Sequence, residues 1–362
     1  MSWLGLGQAA VVFAAAWWAW IYTTWAANWL DPERLPVRIM LILVMLASLL
    51  MAVALPHAFE EAGGLFAFAY VAIQVGRTLF LTLIMSRAEG ESGQNMLRVA
   101  IWFMASAVLW IAGGLLAEGS ARLAWWTGAL AIEYAGPLAF FYVPFLGRSS
   151  VREWTISGHH MAERCALFVI IALGEGIVVT GATFAGQEMI RDNVLAFLIA
   201  FTGSVLMWWI YFDVGAKRGA ELIEHHEEPG RVARNAYTYL HMPIVIGMIG
   251  AAVADELLLA HPGGPAEHAL VAFTCGGLAV YLLGVGYFKR FANPFRNFPL
   301  SHMVGLGLFG ALGCWAWLVH FQALTFGALA IAVLTLIAVW EWGSFHGGWS
   351  ERLERWRSMS KT

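Results

Sequence analysis

The 362-residue sequence predicts an all-α fold, a polytopic membrane helical bundle of eleven transmembrane helices built as a parallel duplicated six-helix unit with its first helix missing. Three observations predict it. The chain is 60% hydrophobic and only 12% charged, with mean hydropathy +0.68, whereas an ordinary soluble domain has about 25% charged residues. Apolar runs long enough to cross a bilayer, about 20 residues, recur along its whole length. The basic residues between those runs fall almost entirely on one side.

Taken in order between charged or Pro/Gly-rich breaks, the expected spans are 3–29, 36–56, 63–85, 97–117, 122–146, 163–185, 193–213, 237–260, 265–288, 299–319 and 323–342. The first lacks the basic n-region of a signal peptide and runs on as a full span, so no cleavable signal is expected. Asp31-Pro32-Glu33-Arg34 separates it from the second. Trp25, Trp29, Trp125, Trp126, Trp340 and Trp342 lie near span ends, as interfacial belts require. Gly174, Gly176 and Gly181 in the sixth span, and Gly305, Gly307 and Gly310 in the tenth, read as sites of close helix packing. The second set also fits G-x-G-x-x-G, but no strand precedes it and no ribose-binding acid follows, which excludes a dinucleotide site. Cys165, Cys275 and Cys314 form no C-x-x-C and read as packing residues.

Seventeen of the 21 Lys and Arg residues fall in loops after odd-numbered spans or in the C-terminal tail. Two, Arg122 and Arg191, fall on the opposite side. The positive-inside rule therefore places the C-terminus in the cytoplasm of a plasma (inner) membrane protein. With eleven spans, Met1 then starts outside.

An internal match accounts for that start. Trp20-Ile21-Tyr22 corresponds to Trp209-Ile210-Tyr211, Ala52-Val53-Ala54 to Ala252-Val253-Ala254, and Glu133 to Glu341. The offsets are 189, 200 and 208, a drift that loop insertions allow. Spans one to five thus resemble spans seven to eleven, and span six lacks a counterpart. The organisation expected is a first repeat at 1–146, a second at 147–346, and a cytoplasmic tail at 347–362. In the tail Trp349, Leu353 and Trp356 recur at i, i+4 and i+7, the pattern of an amphipathic interfacial helix.

Ionisable residues inside spans are costly and usually face a bundle interior or a wet cavity. Arg77, Glu133, Glu175 and Glu341 are of this kind, and Gln74 lies one turn from Arg77. Arginine keeps its charge, so Arg77 needs an acceptor or water; the alternative is snorkelling to the headgroups. Glu341 stands near enough to its span end to be interfacial instead. His160, Glu163 and Arg164 mark the cytoplasmic end of span six, where Glu163 also suits a helix N-terminus. His225-His226-Glu227-Glu228 lacks the i, i+4 spacing of a helical metal site and reads as a solvated loop.

The run from His160-Met161-Ala162-Glu163-Arg164 through Leu167-Phe168 to Gly174-Glu175 resembles the central signature of the bacterial low-temperature-requirement A (LtrA) family. Trp17-Trp18 with Asn28-Trp29, and Gln74-Val75-Gly76-Arg77, resemble two further motifs of that family, and the likeness covers essentially the whole chain. Family members begin with a Phe-Phe-Asp-bearing helix that this sequence lacks. The resemblance implies a membrane protein linked to growth in the cold and gives little biochemistry.

Two functions compete at this stage. One is a transporter or channel-like protein moving a small solute or ion along Arg77, Glu133, Glu175, Glu341 and Gln74, coupled to protons through a buried carboxylate. The other is a membrane enzyme acting on a lipid or lipid-linked substrate, with His160 and Glu163 as acid and base and Arg164 holding phosphate. Its motifs supply no nucleophile, phosphate loop or metal ligands. The expected partners are membrane lipids and the solute or ion, with no nucleic acid, cofactor or metal, and a homo-oligomer is left open.

Overall fold

In the computed structural model, residues 2–87, 92–149, 158–213, 234–292 and 297–345 are described. The tail at 347–362 and His225-His226-Glu227-Glu228 lie outside them. The described residues form eleven helical rods and no strand, only two isolated bridges. They are α1 (Trp3–Trp29), α2 (Leu35–Ala54), α3 (Gly63–Met85), α4 (Ser92–Leu116), α5 (Gly119–Leu138), α6 (Gly158–Ala185), α7 (Arg191–Phe212), α8 (Arg234–Ala260), α9 (His268–Ala292), α10 (Leu300–Leu318) and α11 (Ala323–Phe345). All but α5 are long and apolar enough to cross a membrane. Local chemistry sets several ends. Ser2 caps α1 by accepting from the Gly5 N–H at 3.1 Å, and Pro36 occupies the first turn of α2, where its missing N–H costs nothing.

The fifth span ends early. The apolar run predicts a helix to 146, but the helix stops at Leu138. Pro137 has no N–H to continue the ladder, and the chain folds back, Phe141 N–H bonding Gly136 O at 2.8 Å. Phe140, Phe141 and Phe145 adopt positive φ of 53°, 47° and 69°, a region that side chains with a Cβ rarely occupy. A Cβ on Gly136 would lie 2.7 Å from the Phe141 ring, so only glycine admits the fold-back.

The chain folds as two compact units, Met1–Ser157 and Gly158–Thr362. In the first, α3 packs on α2 and α4, α4 on α5, α5 on α1, and α1 meets α3. Its core is aromatic: Trp110 and Trp126 lie 5.2 Å apart, Tyr70 and Trp110 4.4 Å, Phe66 and Trp126 5.1 Å. Such pairs add about 0.5–1.5 kcal/mol each beyond burial. Trp126, expected at the interface, is fully buried here. The lipid-type surface lies elsewhere, for example Ile42, Leu43, Met45, Leu46 and Leu49 exposed along α2, far more apolar area than a soluble protein leaves uncovered.

In the second unit α6 packs on α7 and α8, α8 on α9, α9 on α10, α10 on α11, and α11 on α7. The tightest approach is α8 against α9. A Cβ on Gly247 would come within 2.4 Å of the Tyr281 backbone, and one on Gly250 within 3.0 Å of Gly277. This is the small-residue packing of membrane helices. It falls mostly away from the glycines singled out in the sequence: Gly305 does pack, since a Cβ there would lie 2.4 Å from Ile337, but Gly174, Gly181, Gly307 and Gly310 face open space. Of the cysteines Cys165 is buried, whereas Cys314 is exposed on α10.

Candidate functional site

The middle of α3 is not α-helical. Its Ala72–Gly76 segment is a π turn between two α-helical halves, a distortion often found where helices carry function. Tyr70, Gln74 and Arg77 follow one another at i, i+4 and i+7 through this turn, and all three are buried to 1% exposure or less.

Opposite them stands Glu133 on α5, also 1% exposed. Its Oε1 accepts from Ser106 Oγ at 2.7 Å and Trp110 Nε1 at 2.9 Å. Oε2 accepts from Tyr70 OH at 2.5 Å and Gln74 Nε2 at 3.4 Å. Four donors from α3 and α4 thus surround one carboxylate, the saturation that a buried acid needs. Arg77 does not touch it. Its Nη2 donates to Gln74 Oε1, while Nη1 donates to Ala19 O at 3.1 Å and Thr23 Oγ1 at 2.8 Å. The Tyr22 ring lies 5.7 Å from the guanidinium carbon. Gln74 therefore joins base to acid, and the arrangement fixes its amide: the oxygen must face the donor-only guanidinium and the NH2 the carboxylate.

Arg77 also borders a cavity of about 10 Å³, with Tyr22, Trp25, Trp29 and Thr78 among its walls. That is room for about one water. Arg77 Nε has no partner among the described residues.

The second unit holds its own buried charges. Lys289 Nζ on α9 lies 2.7 Å from Glu341 Oε2 on α11 and donates to Ile210 O on α7 at 2.6 Å. His302 Nδ1 stands 3.9 Å from Glu341 Oε1, and Tyr281 OH donates to Met207 O on α7. Close by, His241 Nδ1 faces Ala236 O at 2.9 Å and Nε2 faces Tyr211 OH at 2.8 Å. A carbonyl can only accept, so Nδ1 carries the hydrogen, leaving Nε2 to accept from the phenol when the ring is neutral.

Of the residues expected from sequence, Gln74, Arg77 and Glu133 come together in one network. Glu341 is 3% exposed and ion-paired inside the second unit. Arg77 points inward, not to the headgroups. Glu175 is exposed on α6, as are Glu163 and Arg164, while His160 is half-buried and Met161 and Cys165 pack inside. The sequence alone does not single out Tyr70, Ser106 and Trp110, whose only signal is the spacing of Tyr70 with Gln74 and Arg77. Three buried bases also read in the sequence as loop charges. Lys289 pairs with Glu341, Arg98 bonds Leu146 O at 2.9 Å and Asn95 Oδ1 at 2.6 Å, and Arg122 donates to Ala58 O, Gly113 O and Gly114 O at 2.8–3.2 Å. Arg122 thereby satisfies carbonyls left over at the end of α4. Among the described residues His57, Glu60 and Glu61 alone have side chains close enough to share a metal. All three are exposed, and His57 Nδ1 already contacts Glu60 at 3.1 Å.

The profile of the family described as bacterial low temperature requirement A protein (LtrA) matches residues 1–339. The chain belongs to the LtrA family. An uncharacterized protein of Rhizobium meliloti (strain 1021) is 40% identical over 342 residues, covering 94% of this chain and 82% of the relative. No solved structure matches. For this LtrA family member the likeness therefore brings no assigned chemistry, and the site must be read from its own atoms.

Proposed function

We propose that this LtrA protein moves a small solute or ion across the bacterial inner membrane, along polar residues buried in both units. One observation carries the reading: Glu133 and Arg77, each 1% exposed inside the helical core of the first unit, are held apart and joined by Gln74. Buried ionisable groups within a membrane are kept at a cost and mark ion and proton pathways by default. Lys289 and Glu341 occupy the corresponding places in the second unit, on its third-from-last and last helices. Four helix pairs of the first unit, α2–α3, α3–α4, α4–α5 and α5–α1, recur in the second as α8–α9, α9–α10, α10–α11 and α11–α7, which supports the duplication. Glu175, exposed on α6, is assigned to the path of the second unit, and His160, Glu163 and Arg164 to its cytoplasmic end, with the C-terminus on that side. Gain or loss of a proton at a buried carboxylate couples flux to the proton gradient.

The test uses purified protein in liposomes, screened against a panel of inorganic ions and small solutes at several imposed pH gradients. Arg77→Gln and Glu175→Gln are run beside wild type. The reading expects a wild-type flux above that of empty liposomes, reduced in both variants. Equal flux in all three proteins would remove these residues from the path.

A further inference from the structure

The second unit contains a carboxylate that belongs neither to the ion pair nor to any motif of the sequence. Asp255 lies on α8, five residues before the helix ends at Ala260, about 7.5 Å from that end at 1.5 Å per residue. It lines a partly open cavity of about 30 Å³ between α7, α8, α9 and α11, room for one or two waters. Gly203 and Met207 come from α7, Thr274 from α9, and Gly327 and Ala330 from α11.

The cavity has little else that is polar. None of its other lining residues, on any of the four helices, has an ionisable side chain, and Thr274 supplies the one side-chain hydroxyl. Asp255 is half-buried, and no hydrogen-bond or ion-pair partner reaches it among the described residues. Glu256, next along α8, is exposed.

The chemistry narrows the ligand. A dehydrated metal cation asks for about six oxygen ligands, and one carboxylate with one hydroxyl cannot provide them. An anion would meet a carboxylate. An unpaired carboxylate in an apolar cavity is itself costly, and a single proton removes that cost. Met207, which lines the cavity, accepts from Tyr281 OH through its carbonyl. One turn further along α7, Ile210 O holds Lys289 beside Glu341.

We propose that Asp255 is a proton-binding residue of the second unit, loading and unloading through this water-sized cavity at the end of the helices away from the basic loops. It deepens the transport reading by naming the coupling species at one site. The occupancy of that site by a proton does not itself require flux.

Two measurements separate the claims. Infrared difference spectra of the full chain in lipid nanodiscs, between acid and alkaline pH, should show a protonated-carboxyl C=O band that vanishes with alkali. That band should be missing in Asp255→Asn and retained in Glu133→Gln and Glu341→Gln. A spectrum of Asp255→Asn identical to wild type would overturn the proposal. Asp255→Glu, which keeps the carboxyl, should restore a band; failure to restore one while the protein stays folded would equally count against a proton site. Proton uptake into liposomes is then compared for wild type and Asp255→Asn. If the band behaves as expected but neither protein moves protons, the proton coupling of the transport reading falls and the proton site stands.

Discussion

The two units solve the same problem in different ways. Each buries a base on one helix, ties it to a backbone carbonyl of another and places a carboxylate on its last helix: Arg77, Ala19 O and Glu133 in the first, Lys289, Ile210 O and Glu341 in the second. In the first unit the charges never meet, and Glu133 has four separate donors. In the second they stand 2.7 Å apart. Apart from that ion pair, Glu341 has no hydrogen-bonding partner among the described residues, and neither does His302 Nε2. A saturated network holds its shape, while a half-satisfied one invites water and proton exchange. Glu133 is therefore the more firmly held of the two buried carboxylates, and Glu341 the less fully bonded.

That contrast can be broken at four strengths. Lys289→Met leaves Glu341 buried without its partner and should cost about 3–5 kcal/mol in thermal unfolding in detergent, with most of it recovered by adding Glu341→Leu. A loss under about 1 kcal/mol would show the pair to be hydrated. Gln74→Leu removes the link in the first unit, stranding one guanidinium donor, and should cost about 2–3 kcal/mol. The coupling between Arg77 and Glu133 in a double-mutant cycle should be the smaller of the two, about 1 kcal/mol against about 3 for Lys289 with Glu341. Thr23→Val, which deletes one acceptor of Arg77, should cost about 1 kcal/mol.

How much of this is legible in the sequence depends on where each residue sits. Arg77 and Glu133 stand out because a charge within an apolar run has no cheap explanation. Gln74 follows from its spacing to Arg77. Lys289 does not, because beside Arg290 at the end of α9 it reads as one more cytoplasmic base; only the approach of α11 turns it into half of a pair. The end of α5 is hidden because Phe140, Phe141 and Phe145 look like a continuing span, and hydropathy does not register the positive φ angles they adopt. Asp255 does not stand out, since Glu256 and the loop behind it give it the look of a span boundary. Ten spans can be recognised from length and apolarity alone. The π turn in α3 cannot, because no residue type demands it.

The most direct test compares Glu133→Gln and Glu341→Gln with wild type for proton-coupled uptake in liposomes, at equal incorporated protein. Unfolding temperatures measured on the same preparations establish that each variant is folded. If the buried carboxylates serve a path, both folded variants lose uptake down to the level of empty liposomes. If either variant, with its carboxylate neutralised, still carries the full wild-type flux, that site is structural and the account is wrong for its unit.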